Sequence, residues 1–358
     1  MGNKLIVIVP ALPPNISGVG DYALCQARAL FKFFGIKSIF IVAGAKKSEI
    51  SSIEEFPVRS VINGDALSLV EAVRFYMEKG AVLHLQYVGY GYQKRGVPLW
   101  LLSSIRTIRL QIPELKIICT LHELFAVSSF PWKSAFWLSR LQKHICMEIY
   151  LLSDEVITSC DRYFQQLQKF AYKSTYRMPV VSNFGEISNP LPLSQREGIL
   201  VFFGAQNIRC SFNKHSEDIL RFASQNNINK AITIGSDKEL RLEGLHIESR
   251  SFLSPNEIAS TLGKVYASFI SIPSPELFSK SSFFAAICAH GCLPVTVGSL
   301  NNVDGLSSGQ QFYNCHEQAN VDNLSDIAMN AHRWYMGHNI EKNVALLNQL
   351  CAYDSSND

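Results

Sequence analysis

The stretch Lys4-Leu5-Ile6-Val7-Ile8-Val9-Pro10, continued by Ala11-Leu12-Pro13-Pro14-Asn15-Ile16-Ser17-Gly18-Val19-Gly20-Asp21-Tyr22, decides the architecture. An unbroken apolar run rich in β-branched residues is a strand buried on both faces, and such strands belong to parallel sheets covered by helices. Pro10 ends the run, a glycine loop follows, and a helical pattern continues from Asp21 to Phe34 with Ser17 or Asp21 placed to cap it. In sheets of this kind ligands sit beyond the carboxyl ends of the strands, so chemistry is expected just after each one.

Working outward, the same alternation recurs. Strand-like runs fall at 38–42, 81–85, 117–121, 155–158 and 178–181, then at 199–203, 231–234, 267–272 and 293–297. Helical segments lie between them, at 65–79, 133–152, 161–172, 215–226, 255–263 and 281–290. Strand–helix–strand repetition predicts parallel α/β architecture. Pro190 and Pro192 make the stretch between the two series an extended connector. The reading is an N-terminal Rossmann-like domain over 1–186, a linker over 187–196, a second Rossmann-like domain over 197–325, and a helical tail over 326–358.

Composition bounds the rest. The chain has 358 residues, 47% hydrophobic and 18% charged, with a formal net charge of +3. A chain this long buries a sizeable core, and its apolar content excludes disorder as the main state. The small net charge argues against a nucleic-acid partner. Nine cysteines, an odd number in a large chain, fit reduced thiols in a cytosol better than a disulfide framework. The apolar run at the start is too short for a signal peptide, and no run reaches the ~18 apolar residues of a spanning helix. A cytoplasmic protein is expected, with peripheral contact to the inner face of a membrane left open.

The loop at Gly18 and Gly20 lacks the third glycine of a dinucleotide fingerprint, so a two-domain dehydrogenase is disfavoured. His122 follows Thr120-Leu121 at a strand's carboxyl end, where it can donate to a sugar hydroxyl or act as a base; His84 competes in a similar context. Tyr87, Tyr90, Tyr92, Lys94, Arg95 and Trp100 surround Gly89 and Gly91 and read either as an acceptor-binding lip or as a loop with scattered tyrosines. Segment 130–150, with Trp132, Lys133, Phe136, Trp137, Arg140 and Lys143, reads first as a core helix with a basic face and alternatively as a helix touching anionic membrane. Cys288, His290 and Cys292 read as core residues rather than zinc ligands, and Cys315-His316 has no supporting partner in the sequence.

Together the motifs resemble a known family. They are the Ser17-Gly18-Val19-Gly20 loop, Leu83-His84-Leu85-Gln86-Tyr87, Thr120-Leu121-His122-Glu123, Val180-Val181-Ser182-Asn183-Phe184-Gly185, Phe202-Phe203-Gly204, and Ala289-His290-Gly291-Cys292-Leu293-Pro294-Val295. In order and spacing this is similar to GT-B glycosyltransferases, most of all the retaining family-four (group 1) enzymes. The resemblance implies two Rossmann-like domains facing a cleft, with a final helix crossing back to the N-terminal domain. It places Gly18, Val19 and Gly20 near the donor phosphates and the acceptor, and His122 on the transferred sugar. It also implies a cation pair for the diphosphate after the first strand of the second domain, where this sequence has Phe203-Gly204-Ala205, with Arg209 and Lys214 nearby as substitutes. The family's pair of glutamates falls on Phe278 and Ala286; Glu276 lies close to the first position.

What stands instead is Pro275-Glu276-Leu277-Phe278-Ser279-Lys280-Ser281-Ser282 before a helix. Lys280 with Ser279, Ser281 and Ser282 makes an anion cradle at a helix start, or an ordinary serine cap. No Asp-x-Asp pair occurs, so transfer is expected to rely on cations and a helix dipole, with no metal or other cofactor. The expected activity is sugar transfer from a nucleotide sugar to a saccharide or lipid-linked acceptor. His122, Lys280 and Arg209 are the candidate catalytic residues. Lys214, Ser279, Ser281, Ser282 and Glu276 are candidates for the donor, and Tyr87, Tyr90, Arg95 and Glu123 for the acceptor. The alternative, prompted by Ala205 and Ala286, is an inactive binding or scaffold subunit.

Overall fold

β1 (Lys4–Val9) is buried over nearly its whole length and pairs in parallel on both sides, with β2 (Lys37–Val42) and β5 (Val82–Tyr87). That is the environment its unbroken apolar run requires. The computed structural model describes residues 4–15, 17–44, 50–78, 80–126, 130–171, 173–236, 240–271, 275–297, 304–317 and 323–352; of Pro275, Glu276 and Leu277 it describes the backbone. Contacts divide the chain into two units, Met1–Pro179 with Ile340–Asp358, and Val180–Asn339. The connector at 187–196 therefore lies inside the second unit.

In the first unit, β3 (Ser52–Ile53), β4 (Phe56–Ser60), β6 (Lys116–Leu121), β7 (Glu155–Thr158) and β8 (Thr175–Arg177) complete a sheet ordered β3-β4-β2-β1-β5-β6-β7-β8. All its pairings are parallel except that of β3 with β4. The helices are α1 (Gly18–Phe34), α2 (Ala66–Tyr76), the short α3 (Gly89–Tyr92), α4 (Leu99–Gln111), α5 (Ser134–Leu152) and α6 (Asp161–Phe170). Ser17 caps α1, its hydroxyl accepting from the N–H of Gly20 at 3.1 Å, and Gly35 closes the helix with φ 66°.

In the second unit, β9 (Glu197–Phe203), β10 (Lys230–Ile234), β11 (His246–Arg250), β12 (Val265–Ile270), β13 (Leu293–Thr296) and β14 (Tyr313–Asn314) form an all-parallel sheet ordered β11-β10-β9-β12-β13-β14. Around it lie α7 (Ala205–Lys214), α8 (Ser216–Gln225), α9 (Pro255–Lys264), α10 (Ser282–Ala289) and α11 (Leu324–Met336). α12 (Ile340–Cys351) then returns to the first unit, where Val344, Leu347, Leu350 and Cys351 join the core built by Leu24, Ala27 and Leu30 of α1. Among the described residues no helix is long and apolar enough to cross a membrane.

Two expectations change. The run at 178–181 is not a strand: the N–H of Met178 still pairs with the carbonyl of Thr158 at 2.7 Å, but Pro179 has no N–H to extend the ladder. The connector is fixed by a buried cation. Arg196 donates from Nε to the Leu191 carbonyl (2.8 Å), from Nη1 to the carbonyls of Leu262 and Val265 (3.1 Å each), and from Nη2 to that of His290 (2.6 Å). Next to it Gly291 has φ 63°, and a Cβ there would stand 2.5 Å from the Cβ of Pro190. Gly291 is thus required by packing. All nine cysteines are free, and Cys288 and Cys292 are fully buried.

Candidate functional site

In the first unit a chain of polar side chains runs through the carboxyl end of the sheet. β5 and β6 pair with Gln86 opposite Thr120 and Tyr87 opposite Leu121, and the N–H of His122 bonds the Tyr87 carbonyl at 3.0 Å. His122 is therefore set immediately past the end of β6, half-buried. Its Nε2 lies 2.7 Å from Oε1 of Gln86. An amide oxygen only accepts, so Nε2 of His122 donates in this bond. Tyr22 stands edge-on to His122, ring centroids 5.4 Å apart. The start of α1 and the end of β6 thus meet.

Gln86 is the hub. Its Nε2 donates to Oε1 of Gln26 at 3.1 Å, while Gln26 donates to Oδ1 of Asn343 (2.8 Å) and to the hydroxyl of Tyr22 (3.1 Å). His84 is 1% exposed and pairs through Nε2 with the hydroxyl of Thr120 at 2.8 Å. Burial, then the neighbouring His122, push its pKa down to about 3, so it stays neutral. The two histidines left open by the sequence are now distinguished: His84 is a structural member of the core, and His122 is its partly exposed end. Gln26, Gln86 and Asn343 were missed. A polar residue within an apolar strand, as Gln86 is, was the available signal.

The glycine loop divides its roles. A Cβ at Gly20 would come 2.1 Å from the Ala11 carbonyl oxygen, so this glycine serves close packing, whereas one at Gly18 would meet nothing within 4 Å. Gly18 is exposed and Val19 half-buried at the first turn of α1. Tyr87 is corrected: it is 1% exposed in the hydrophobic core and presents no ring face to an acceptor. Tyr92 is likewise buried, donating to the carbonyls of Ile8 (3.2 Å) and Gln86 (2.8 Å). Tyr90 is 45% exposed, and Arg95 and Glu123 are exposed. Gln142 ties this loop down: its Nε2 donates to the Tyr90 hydroxyl (3.1 Å) and the Arg95 carbonyl (2.7 Å), and its Oε1 accepts from the N–H of Ala126 (2.9 Å). Arg95 has φ 70°, a conformation that costs a side-chain-bearing residue ~1–2 kcal/mol.

In the second unit one aromatic contact connects the regions of two helix starts. β9 ends at Phe203, Gly204 turns the chain with φ 83°, and α7 begins at Ala205 with no side-chain cap. Phe203 stacks on Phe283 in the first turn of α10, centroids 4.4 Å apart. Asn207 of α7 reaches the end of β12, donating to the Phe269 carbonyl (3.0 Å) and accepting from the N–H of Ser271 (2.7 Å). Ser281 caps α10, accepting from the N–H of Phe284 at 3.1 Å. The N–H groups of Ser282 and Phe283 lie in the first turn, outside the intrahelical ladder. Lys280 adjoins them, half-buried. Ser279 is corrected: it is fully buried, its hydroxyl has no hydrogen-bond partner among the described residues, and it is not presented at the helix start.

Arg209 lies one turn into α7 and Lys214 at its end, both exposed. Five residues separate them, about 140° around the helix, so they do not form a pair on one face. Glu276 belongs to the turn Pro275–Lys280, and its side chain lies outside the described residues. The two positions expected for glutamates are core: Phe278 stacks on Phe284 at 4.4 Å, and Ala286 is fully buried. His290 bonds the Ala286 carbonyl through Nδ1 at 2.8 Å. A cavity of about 300 Å³ lies in this unit among Glu197, Lys230, Arg250 and Glu257, at the amino ends of β9 and β10, which is the wrong end for strand-terminus binding.

Two parallel α/β units, the first completed by a helix returning from the end of the chain, define the GT-B glycosyltransferase fold. Among solved structures the chain is similar to an alpha-glucosyltransferase in complex with UDP-glucose and DNA containing an abasic site (12% identity, TM-score 0.63, 98% of this chain and 99% of that one). It is also similar to the Anabaena HepE protein in complex with UDP (10% identity, TM-score 0.60, 97% and 99%). A third is a glycosyltransferase from Rickettsia africae (12% identity, TM-score 0.58, 98% and 97%). No protein-family model matches the sequence. No curated protein matches it either.

Proposed function

We propose that the protein transfers a sugar from a UDP-sugar to a saccharide or lipid-linked acceptor, with retention and without a metal in the transfer step. The observation that carries this reading is the Phe203–Phe283 stack, which connects the regions of two helix starts at the carboxyl end of the second sheet, with Lys280 immediately before the α10 cap. First-turn N–H groups, the positive ends of helix dipoles and an ammonium suit a departing diphosphate. His122, with its proton fixed by Gln86, contacts the transferred sugar. Arg209 and Lys214 supply long-range positive charge on α7. With the leaving phosphate accepting the acceptor's proton, no dedicated base is needed. UDP-glucose and UDP are named in two of the similar structures.

A membrane-borne acceptor is supported by the segment 130–143, which leads into α5. Trp132 is 78% and Trp137 71% exposed, with Phe130 and Phe136 beside them. Lys133, Arg140 and Lys143 are exposed there too, and no acidic residue occurs from Leu124 to Met147. Aromatic rings with cations and no carboxylates suit the interface of an anionic bilayer. The net charge of +3 over the whole chain disfavours DNA as acceptor.

The second reading, a transferase-like binding subunit without turnover, is favoured by Ala286 and Phe278, whose core positions leave no carboxylate for the ribose. Thermal unfolding with UDP, GDP, ADP, CDP and dTDP, each with and without EDTA, followed by UDP release from UDP-sugars, decides between them. Stabilisation by UDP that survives EDTA, with turnover, supports the transferase. Stabilisation without turnover, or no stabilisation by any nucleotide in a well-folded sample, overturns the transferase and supports the binding or scaffold subunit.

A further inference from the structure

In the second unit two histidines converge on one carboxylate oxygen. His215, at the junction of α7 and α8, places Nδ1 3.4 Å from Oδ2 of Asp218, and His316, just past β14, places Nε2 2.9 Å from the same atom. The ligand atoms of the three residues lie within 4.8 Å of one another. Two donors on a zinc ion are about 2.9 Å apart at right angles and about 3.4 Å apart at tetrahedral angles, given zinc–donor distances of ~2.0–2.1 Å. Separations of 2.9 and 3.4 Å match two edges of such a coordination polyhedron; with no ion bound, the His316–Asp218 contact is a hydrogen bond. The other carboxylate oxygen is occupied: Nη2 of Arg221 donates to Oδ1 of Asp218 at 2.5 Å and to the Cys315 carbonyl at 3.1 Å. One guanidinium therefore orients the carboxylate and holds the backbone next to His316, as outer partners do in metal sites.

The geometry points to a transition-metal site of the zinc class at His215, Asp218 and His316, an inference that does not rest on the proposed activity. Two imidazoles and one carboxylate suit Zn²⁺, Ni²⁺ or Cu²⁺ rather than Mg²⁺ or Ca²⁺, which prefer oxygen donors. Three protein ligands leave the remaining position to water, since His316 is partly exposed. The ion would tie the α7–α8 corner to the segment after β14, residues about a hundred positions apart in the chain. The guanidinium of Arg221 opposes an incoming cation, so the expected affinity is modest.

The test uses the reduced full-length chain without nucleotide, titrated with ZnCl₂ by calorimetry and with CoCl₂ by visible absorption. The expected result is a single-site isotherm, a raised melting temperature with Zn²⁺, and Co²⁺ bands without thiolate charge transfer in the near ultraviolet. Asp218→Asn and His316→Gln should each weaken binding at least about tenfold. Mg²⁺ should not compete. Absence of Zn²⁺ binding, binding unchanged in both variants, or a thiolate band, which would assign the ion to cysteines, each overturns the proposal. Circular dichroism checks that the variants fold; His316, on the surface, decides the question if Asp218→Asn does not.

Discussion

Phe203 and Phe283 stack with ring centroids 4.4 Å apart and planes 15° from parallel. Phe203 ends β9 and Phe283 lies in the first turn of α10, so one aromatic contact links the strand end just before the uncapped α7 to the Ser281-capped α10. The ring contact sits beside the first-turn N–H groups of α10, and Lys280 immediately precedes the cap.

Replacing that charge tests the donor site. Lys280→Ala should weaken UDP binding by roughly tenfold to a hundredfold, the ~1.5–3 kcal/mol of a charge-assisted hydrogen bond. Calorimetry at low and high salt reads both the loss and its screening. An unchanged affinity would remove Lys280 from the diphosphate.

The Gln86–His122 pair predicts a pH signature. Gln86→Glu puts a carboxylate 2.7 Å from where Nε2 now donates, and an adjacent negative charge raises a histidine's pKa. The pH–rate profile of sugar transfer should move upward. Gln86→Leu should instead lower stability by about 1–3 kcal/mol per partner left unpaired, with Gln26 and His122 losing theirs.

His84 couples stability to acid. Its folded pKa of about 3 lies below its ordinary 6.5, so the unfolded chain binds this proton first. Its contribution is fully present above pH 6.5 and is lost as pH falls from there toward 3, with a slope of up to ~1.4 kcal/mol per pH unit. Urea unfolding between pH 5 and 6.5, a range above most carboxylates, should show the slope in the wild type and less of it in His84→Gln.

Arg196 is buried among the carbonyls of Leu191, Leu262, Val265 and His290. Arg196→Ala strands these acceptors and should destabilise the second unit by about 3 kcal/mol or more. Gly291→Ala should also destabilise, through the Pro190 clash and the positive φ. Both losses are measurable by thermal unfolding, with nucleotide affinity retained below the transition.

The aromatic patch on the segment 130–143 predicts binding to vesicles containing anionic lipid, weaker at high salt and absent on zwitterionic vesicles. Trp132→Ser combined with Trp137→Ser should abolish co-sedimentation while leaving the melting temperature nearly unchanged, because both rings are exposed.

Much of the fold was legible because buried parallel strands write themselves as continuous apolar runs: the run at 199–203 sits within β9 and that at 155–158 coincides with β7. α4 is absent from the predicted helices although Leu101, Leu102, Ile105 and Ile108 carry its pattern, while other missed elements lack such a mark. β11 reads His-Ile-Glu-Ser-Arg at a sheet edge, β14 has two residues, and α7 buries little beyond Ile208 and Ser211. For the site, His122 could be found because it follows a strand. Its partners could not: Gln26 and Asn343 meet across 317 positions, and His316 and Asp218 across 98. Tyr87 misled because strand alternation does not reveal which face is covered when both are.

The return of α12 to the first unit has a bearing on synthesis. The segment made first is completed last: Leu24, Ala27 and Gln26 wait for Val344, Leu347 and Asn343, while Val180–Asn339 is one continuous stretch. On the ribosome the second unit can finish before the first, whose open flank stays exposed until the last helix emerges. A chain cut after Asn339 should therefore keep one sound unit and carry another that binds chaperones.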